Sequence, residues 1–165
     1  MAEDLYTAAR NGDLAEVKQL VKDEGVAVDV RGGGDNWTPL MTASCEGNKD
    51  VVDFLLLNKA DVNARNDYCI TAMLLAAMEG HVEVVEALAG GGGRVGAVGD
   101  DGRTALHYAA KEGHLTTVQT LLTHGAEPGV KAKDGSTAGD MATQEGHHEV
   151  ADVLEEATRG DSFFQ

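Results

Sequence analysis

The sequence predicts an all-α solenoid of stacked helix–turn–helix units with hairpin or loop fingers, and three observations predict it. Thr38, Thr71, Thr104 and Thr137 stand 33 residues apart. Gly47, Gly80, Gly113 and Gly146 keep the same step, and each is followed by Asn48, His81, His114 or His147. With 42% hydrophobic but only 4% aromatic residues, the core must be built from Leu, Val and Ala. Small, interchangeable side chains suit a repeated packing unit better than one irregular centre.

Each unit reads as a helix, a tight turn, a second helix and an extended link. Thr38 followed by Pro39 is an N-cap with proline at the first helical position, where the missing N–H costs nothing. Helix A runs from there through Leu40 and Ala43 until Gly47 supplies a left-handed terminator. Helix B carries Val51, Val52, Leu55 and Leu56 at three- and four-residue spacing, one apolar stripe. Ala60 to Arg65 then lead to the next threonine, and Asp101-Gly102 supplies turn chemistry in the fourth unit. A looser first unit, Ala8 to Leu14, matches Ala109 to Leu115. Its Gly12 lies 35 residues before Gly47, so two extra residues are expected in the Gly-rich stretch at Gly32 to Gly34.

This pattern resembles ankyrin repeats. Asp101-Gly102-Arg103-Thr104-Ala105-Leu106-His107-Tyr108-Ala109-Ala110 follows the family signature closely, with Ala105 where the family usually has the proline that Pro39 supplies. Val51-Val52 and Ala60-Asp61-Val62-Asn63-Ala64 carry the second half. The resemblance implies an L-shaped stack with fingers projecting from one edge and a concave face formed by fingers and helix A. It also implies that His107 braces neighbouring turns, and that Asn63 stands where some ankyrin proteins are hydroxylated.

The domain expected is a single one over residues 1–159, with repeats at 1–32, 33–65, 66–98, 99–131 and 132–159 and a flexible tail at 160–165, whose Phe163 and Phe164 could fold back on the last unit. Terminal units should turn polar on their outer faces. Glu16 and Gln19 replace the apolar residues at Val51 and Phe54, and Glu155 replaces Leu56 and Leu122. Gly139 stands where Leu40 and Leu106 do, so the last unit is expected to be short or loosely held. The joint between units three and four is expected to be weak, because Gly90 to Gly93 replaces Leu57 to Ala60 and Ala89 replaces Leu56.

Charge and motifs exclude several functions. Thirteen Lys and Arg against 28 Asp and Glu give a net charge of −15, which lacks the basic footprint of nucleic-acid binding. Cys45 and Cys69 are too few for a disulfide framework and are not spaced for zinc. No apolar run approaches the roughly 18 residues of a membrane span, and the N-terminus does not read as a secretory signal, so a cytoplasmic or nuclear location is expected. For the same reason the sequon Asn36-Trp37-Thr38 and the Arg159-Gly160-Asp161-Ser162 sequence read as accidental. Gly91-x-Gly93-x-x-Gly96 matches the dinucleotide fingerprint formally, but a helix precedes it where a strand is needed, and Ala97 stands where a phosphate loop needs lysine. Histidines one repeat apart are roughly 10 Å from each other, too far to share an ion. No metal, cofactor or catalytic constellation is expected.

What remains is a strip of positions free to vary. The residue three before each repeat threonine, the residue just before it, and the two before the helix A glycine line the concave rim. The strip reads Asp35, Trp37, Cys45 and Glu46, then Tyr68, Ile70, Met78 and Glu79, then Asp101, Arg103, Lys111 and Glu112. Arg10 and Asn11 precede it, and Asp134, Ser136, Gln144 and Glu145 end it. Units two and three hold the large apolar groups, which suit the anchor of a protein interface. Each has a packing alternative: Trp37 over the neighbouring finger, Ile70 beneath Tyr68. The function expected is non-enzymatic protein recognition by a monomer, as adaptor, targeting subunit or stoichiometric inhibitor, of a partner whose apolar patch is edged by basic residues. The alternatives are a nucleotide-binding regulator or small enzyme using the Gly90 to Gly99 loop, and a scaffold fragment of a longer repeat protein.

Overall fold

The computed structural model describes residues 2–160, so the expected tail lies, from Asp161 on, outside the described residues. Helices α1 (Ala2–Asn11) and α2 (Leu14–Lys18), the latter prolonged by a π-helical turn at Gln19–Asp23, form the first pair. Four more pairs follow: α3 (Pro39–Glu46) with α4 (Lys49–Leu57), α5 (Ala72–Glu79) with α6 (Val82–Gly90), α7 (Ala105–Lys111) with α8 (Leu115–Thr123), and α9 (Ala138–Gln144) with α10 (His148–Arg159). The first members pack side by side as one layer and the second members as another. No strand longer than an isolated bridge occurs among the described residues.

The repeat threonines start their helices as expected. Each is extended, and its hydroxyl oxygen accepts the amide of Met41, Leu74, His107 or Asp140 at 3.2–3.4 Å. In three units the bond is returned, because Met41 Sδ, His107 Nδ1 or Asp140 Oδ2 accepts the threonine N–H. Leu74 has no acceptor to return. Gly47, Gly80, Gly113 and Gly146 end the first helices at φ 75 to 79°, left-handed backbone that a residue with Cβ adopts only at a cost.

Burial follows the two layers. In α5, at the centre, every residue from Ala72 to Ala77 is buried, because a neighbour covers it on each side. Second helices bury one stripe: Val51, Val52, Phe54 and Leu55 in α4, Val84, Val85 and Leu88 in α6. At the ends Glu16, Gln19 and Glu155 are exposed while Val17, Leu20, Val150 and Leu154 stay buried, the polar capping the sequence predicts. The last unit is not short. Helix α10 has 12 residues, the longest helix described, and Leu154 covers the space at Gly139, its Cβ 3.7 Å from where a Cβ there would sit.

The two extra residues of the first unit are divided between two places. Gly12 to Gly25 spans 13 residues, whereas Gly47 to Lys59, Gly80 to Gly92 and Gly113 to Gly125 each span 12, with left-handed backbone at every end point. The π turn at Gln19–Asp23 absorbs that residue, because each such turn holds one more residue than an α turn. The second lies in the finger, where Gly32 and Trp37 pair five residues apart but Asn66 and Ile70 four apart. Only this second one is in the Gly-rich stretch.

Units are also tied through their links. Asp29 accepts the amide of Asp61, and Asn63 Oδ1 accepts the amide of Arg94 at 2.8 Å while its Nδ2 donates to Gly92 O. Arg31 donates to Arg65 O, and Arg65 to Val98 O, both at 2.7 Å. The series stops at unit three, where Gly96 and Val98 stand in the places of Asn63 and Arg65. This adds to the reason for a weak joint. Helix α6 keeps Val84, Val85 and Leu88 buried but has Ala87 and Ala89 where α4 has Phe54 and Leu56, while the amides of Gly91, Gly92 and Gly93 still close its end on Ala87, Ala89 and Leu88. The missing ties are side-chain braces to unit four, whose Glu127 amide makes no hydrogen bond among the described residues.

Candidate partner-binding surface

The fingers form one edge because their backbones are joined: Asp67 N donates to Asp35 O, Asp100 N to Tyr68 O, and Lys133 N to Asp101 O, at 3.0–3.2 Å. In units four and five the tip is Asp then Gly. Asp101 and Asp134 accept the amides of Arg103 and Ser136, and Gly102 and Gly135 take the left-handed position. Unit three has Tyr68 and Cys69 there. Tyr68 has no carboxylate there, and buried Asn66 accepts instead, its Oδ1 receiving the amides of Tyr68 at 3.0 Å and Ile70 at 2.9 Å. Cys69 holds φ 58°, a conformation unfavourable for a residue with Cβ. Tyr68 is left 56% exposed.

The other apolar residues of the strip are more committed. Trp37 is half-buried against the core, and its backbone pairs with Gly32. Ile70 Cδ1 lies 3.0 Å from where Gly99 would carry a Cβ, so it is wedged against the next finger. Met78 is half-buried, and its carbonyl accepts or faces His114 Nε2 at 3.0 Å, as the Cys45 carbonyl does His81 Nε2 at 2.8 Å.

Charges on the strip are partly spent internally. Asp101 accepts the Tyr108 hydroxyl at 3.0 Å and lies 3.6 Å from Arg103 Nε, while Arg103 Nη2 lies 3.7 Å from Asp134. Burial, then the bond to Asp101, pushes the Tyr108 phenol up to about 12, so it stays a donor. Glu46 faces Arg10 at 3.6 Å. Asp35 is half-buried, Lys111 is half-buried, and Glu79 and Glu112 are exposed. Burial, then Glu79 and Glu46, raises the Cys45 thiol; a hydrogen bond to Asp100 raises Cys69. Both are therefore protonated, poorly nucleophilic thiols.

A family model described as ankyrin repeats, in three copies, matches residues 4–66, 56–132 and 73–161. The chain belongs to the ankyrin-repeat family. It is 40% identical over 67 residues to an E3 ubiquitin-protein ligase of Arabidopsis thaliana, 41% of this chain and 13% of that protein. It is 43% identical over 63 residues to a palmitoyltransferase of Saccharomyces cerevisiae, 36% of this chain and 8% of that protein. A probable E3 ubiquitin-protein ligase of Oryza sativa is 43% identical over 68 residues, again 41% and 13%. The matched stretch is thus a small part of each relative.

In this ankyrin-repeat chain His107 has the bracing role implied by the family pattern: its Nε2 faces Ser136 O at 3.1 Å and its Nδ1 accepts the Thr104 amide. The strip derived from sequence omits Tyr108, which is half-buried beside Ile70, Gly99 and Asp101. Its in-register counterparts are Thr42, Leu75 and Met141. All three counterparts are buried, so the register gave no indication that Tyr108 reaches the strip. Of the fingerprint glycines, Gly91 and Gly93 cradle no phosphate, since their amides are used at the C-terminal end of α6.

Proposed function

We propose that this chain is a non-catalytic recognition module that binds a protein on the edge formed by the fingers and first helices, with Tyr68 at the centre. The observation that carries this reading is the tip of the third finger. Tyr68 and Cys69 replace the Asp and Gly that units four and five use, so the acceptor has to come from Asn66 and Cys69 keeps an unfavourable φ while a large side chain faces solvent. Departures from local rules without a packing gain are where function is expected. Trp37 on the adjoining finger and Ile70 beside Gly99 extend the apolar centre, and Glu79 and Glu112 give it an acidic rim.

The partner in this reading presents an apolar patch edged by Lys or Arg, and association slows as salt rises. A rigid edge loses little conformational entropy on binding. The module works as a monomeric adaptor, targeting subunit or inhibitor in the cytoplasm or nucleus, a location that fits two unpaired thiols. The test is the double substitution Tyr68→Asp with Cys69→Gly, which rebuilds the tip of unit four. It should raise the melting temperature and abolish partner capture in a pull-down from native lysate, with Ser136→Ala as the control that retains it. Undiminished capture by the double variant would remove Tyr68 from the interface.

A further inference from the structure

We infer that the hollow between the links of units two and three is a binding site for a doubly charged tetrahedral oxyanion of the phosphate class. It has a volume of about 390 Å³ and is lined by Asn63, Arg65, Arg94, Gly96, Ala97 and Val98, with Thr71 at its edge. Two guanidinium-bearing residues line it, and no carboxylate does. That is unusual in a chain of net charge −15, whose Arg10, Lys49 and Arg103 each lie beside an acid.

The arrangement comes from a charge reversal and a truncation. In register, units two, three and four carry Asp61, Arg94 and Glu127, so Arg94 stands where its neighbours are acidic. Its backbone is fixed by Asn63 Oδ1 at 2.8 Å, while its side chain makes no hydrogen bond or ion pair among the described residues. Arg65 is oriented by the bond from Nη2 to Val98 O at 2.7 Å, which leaves Nε and Nη1 to a ligand. Gly96 replaces the Asn63 side chain and has no atom within 4 Å of a would-be Cβ, which opens the space. The amides of Gly96 and Val98 make no hydrogen bond among the described residues. Two guanidinium forks and open amides match the several acceptors of a phosphate. Gly96 is the fingerprint glycine that lines this hollow, whereas the amides of Gly91 and Gly93 close α6, and Tyr68 of the finger edge is not among the lining residues.

The test is a titration of the full chain followed by amide chemical shifts, with inorganic phosphate, acetate and a short phosphoserine peptide as separate probes. Phosphate should give saturable shifts centred on Arg94, Gly96 and Val98, and acetate should bind at least about tenfold more weakly, as expected for one charge instead of two. Arg94→Gln, which removes no hydrogen bond or ion pair among the described residues, should weaken phosphate about tenfold or more with an unchanged melting temperature. If the phosphoserine peptide binds more tightly than phosphate, the anion is a partner's modified side chain; if not, it is a free one. Both results support the site. Acetate binding as tightly as phosphate, shifts centred elsewhere, no saturation, or an Arg94→Gln titration like wild type would each overturn it.

Discussion

The imidazole of His81 lies on Gly47 of the preceding unit, with Nε2 2.8 Å from the carbonyl of Cys45 and ring atoms 2.7 Å from where a Cβ on Gly47 would sit. His114 repeats the arrangement on Gly80 and the Met78 carbonyl. The repeat glycine is thus required twice, for its left-handed backbone and for the ring above it.

Two substitutions separate those requirements. Gly146→Ala meets nothing within 4 Å and should cost only the left-handed penalty, about 1 kcal/mol. Gly47→Ala adds displacement of His81 and its bond, and should cost about 2 kcal/mol more, taken from urea unfolding. Equal losses would show that the ring gives way freely.

Buried hydroxyls offer the opposite sign. Thr117 Oγ1 and Ser44 Oγ are buried with no hydrogen-bond partner among the described residues. The register of Thr117 is occupied by Val51, Val84 and Val150, and that of Ser44 by Ala77 and Ala110, so the apolar residue fits each place. Thr117→Val and Ser44→Ala should each stabilise by about 1 kcal/mol. Thermal melts that show either variant less stable than wild type would mean that the hydroxyl has a partner.

The broken side-chain ties between units three and four make a further expectation. Gly96 does not have left-handed backbone, so Gly96→Asn can restore the brace that Asn63 supplies one unit earlier. The Glu127 amide should then exchange with solvent more slowly, and stability should rise by about 1 kcal/mol. In the wild type the amides of Gly91 to Gly93 should be protected much as Lys59 and Ala60 are, because each is bonded in the same way. Fast exchange at Gly93 would return the weakness to the end of α6.

Acid should act through His107. Burial lowers its pKa below the usual 6.5, although the Ser136 carbonyl opposes the shift. Below 6.5 the unfolded chain takes up a proton that the folded chain resists, so stability is full above that pH and is lost as pH falls through the folded value. Protonation would also remove the Nδ1 acceptor from the Thr104 amide. Unfolding free energies between about pH 7 and pH 5 should decline in the wild type and less steeply in His107→Gln. Asp134 and Asp140 are lowered from 3.8 by amide and hydroxyl donors, so their loss belongs below that pH.

The sequence by itself determined the helix boundaries, the number of units and the polar ends. Those features depend on local chemistry: a threonine oxygen over its own first turn, a glycine at a left-handed stop, and one apolar stripe per helix. It also marked Tyr68, because an aromatic residue at an Asp position is visible within one finger. Tertiary structure alone decided what happens between units. Whether Ile70 faces a partner depends on Gly99 in the next finger, and Asp101 is engaged by Tyr108 from a helix seven residues on. The hollow beside Arg94 exists because Gly96 lacks the side chain that Asn63 has 33 residues earlier. The contacts of Ile70 with Gly99 and of Asn63 with Arg94 join residues about one repeat apart, while Tyr108 reaches Asp101 within its own unit, and their outcome rests on distances that periodicity brings close without fixing.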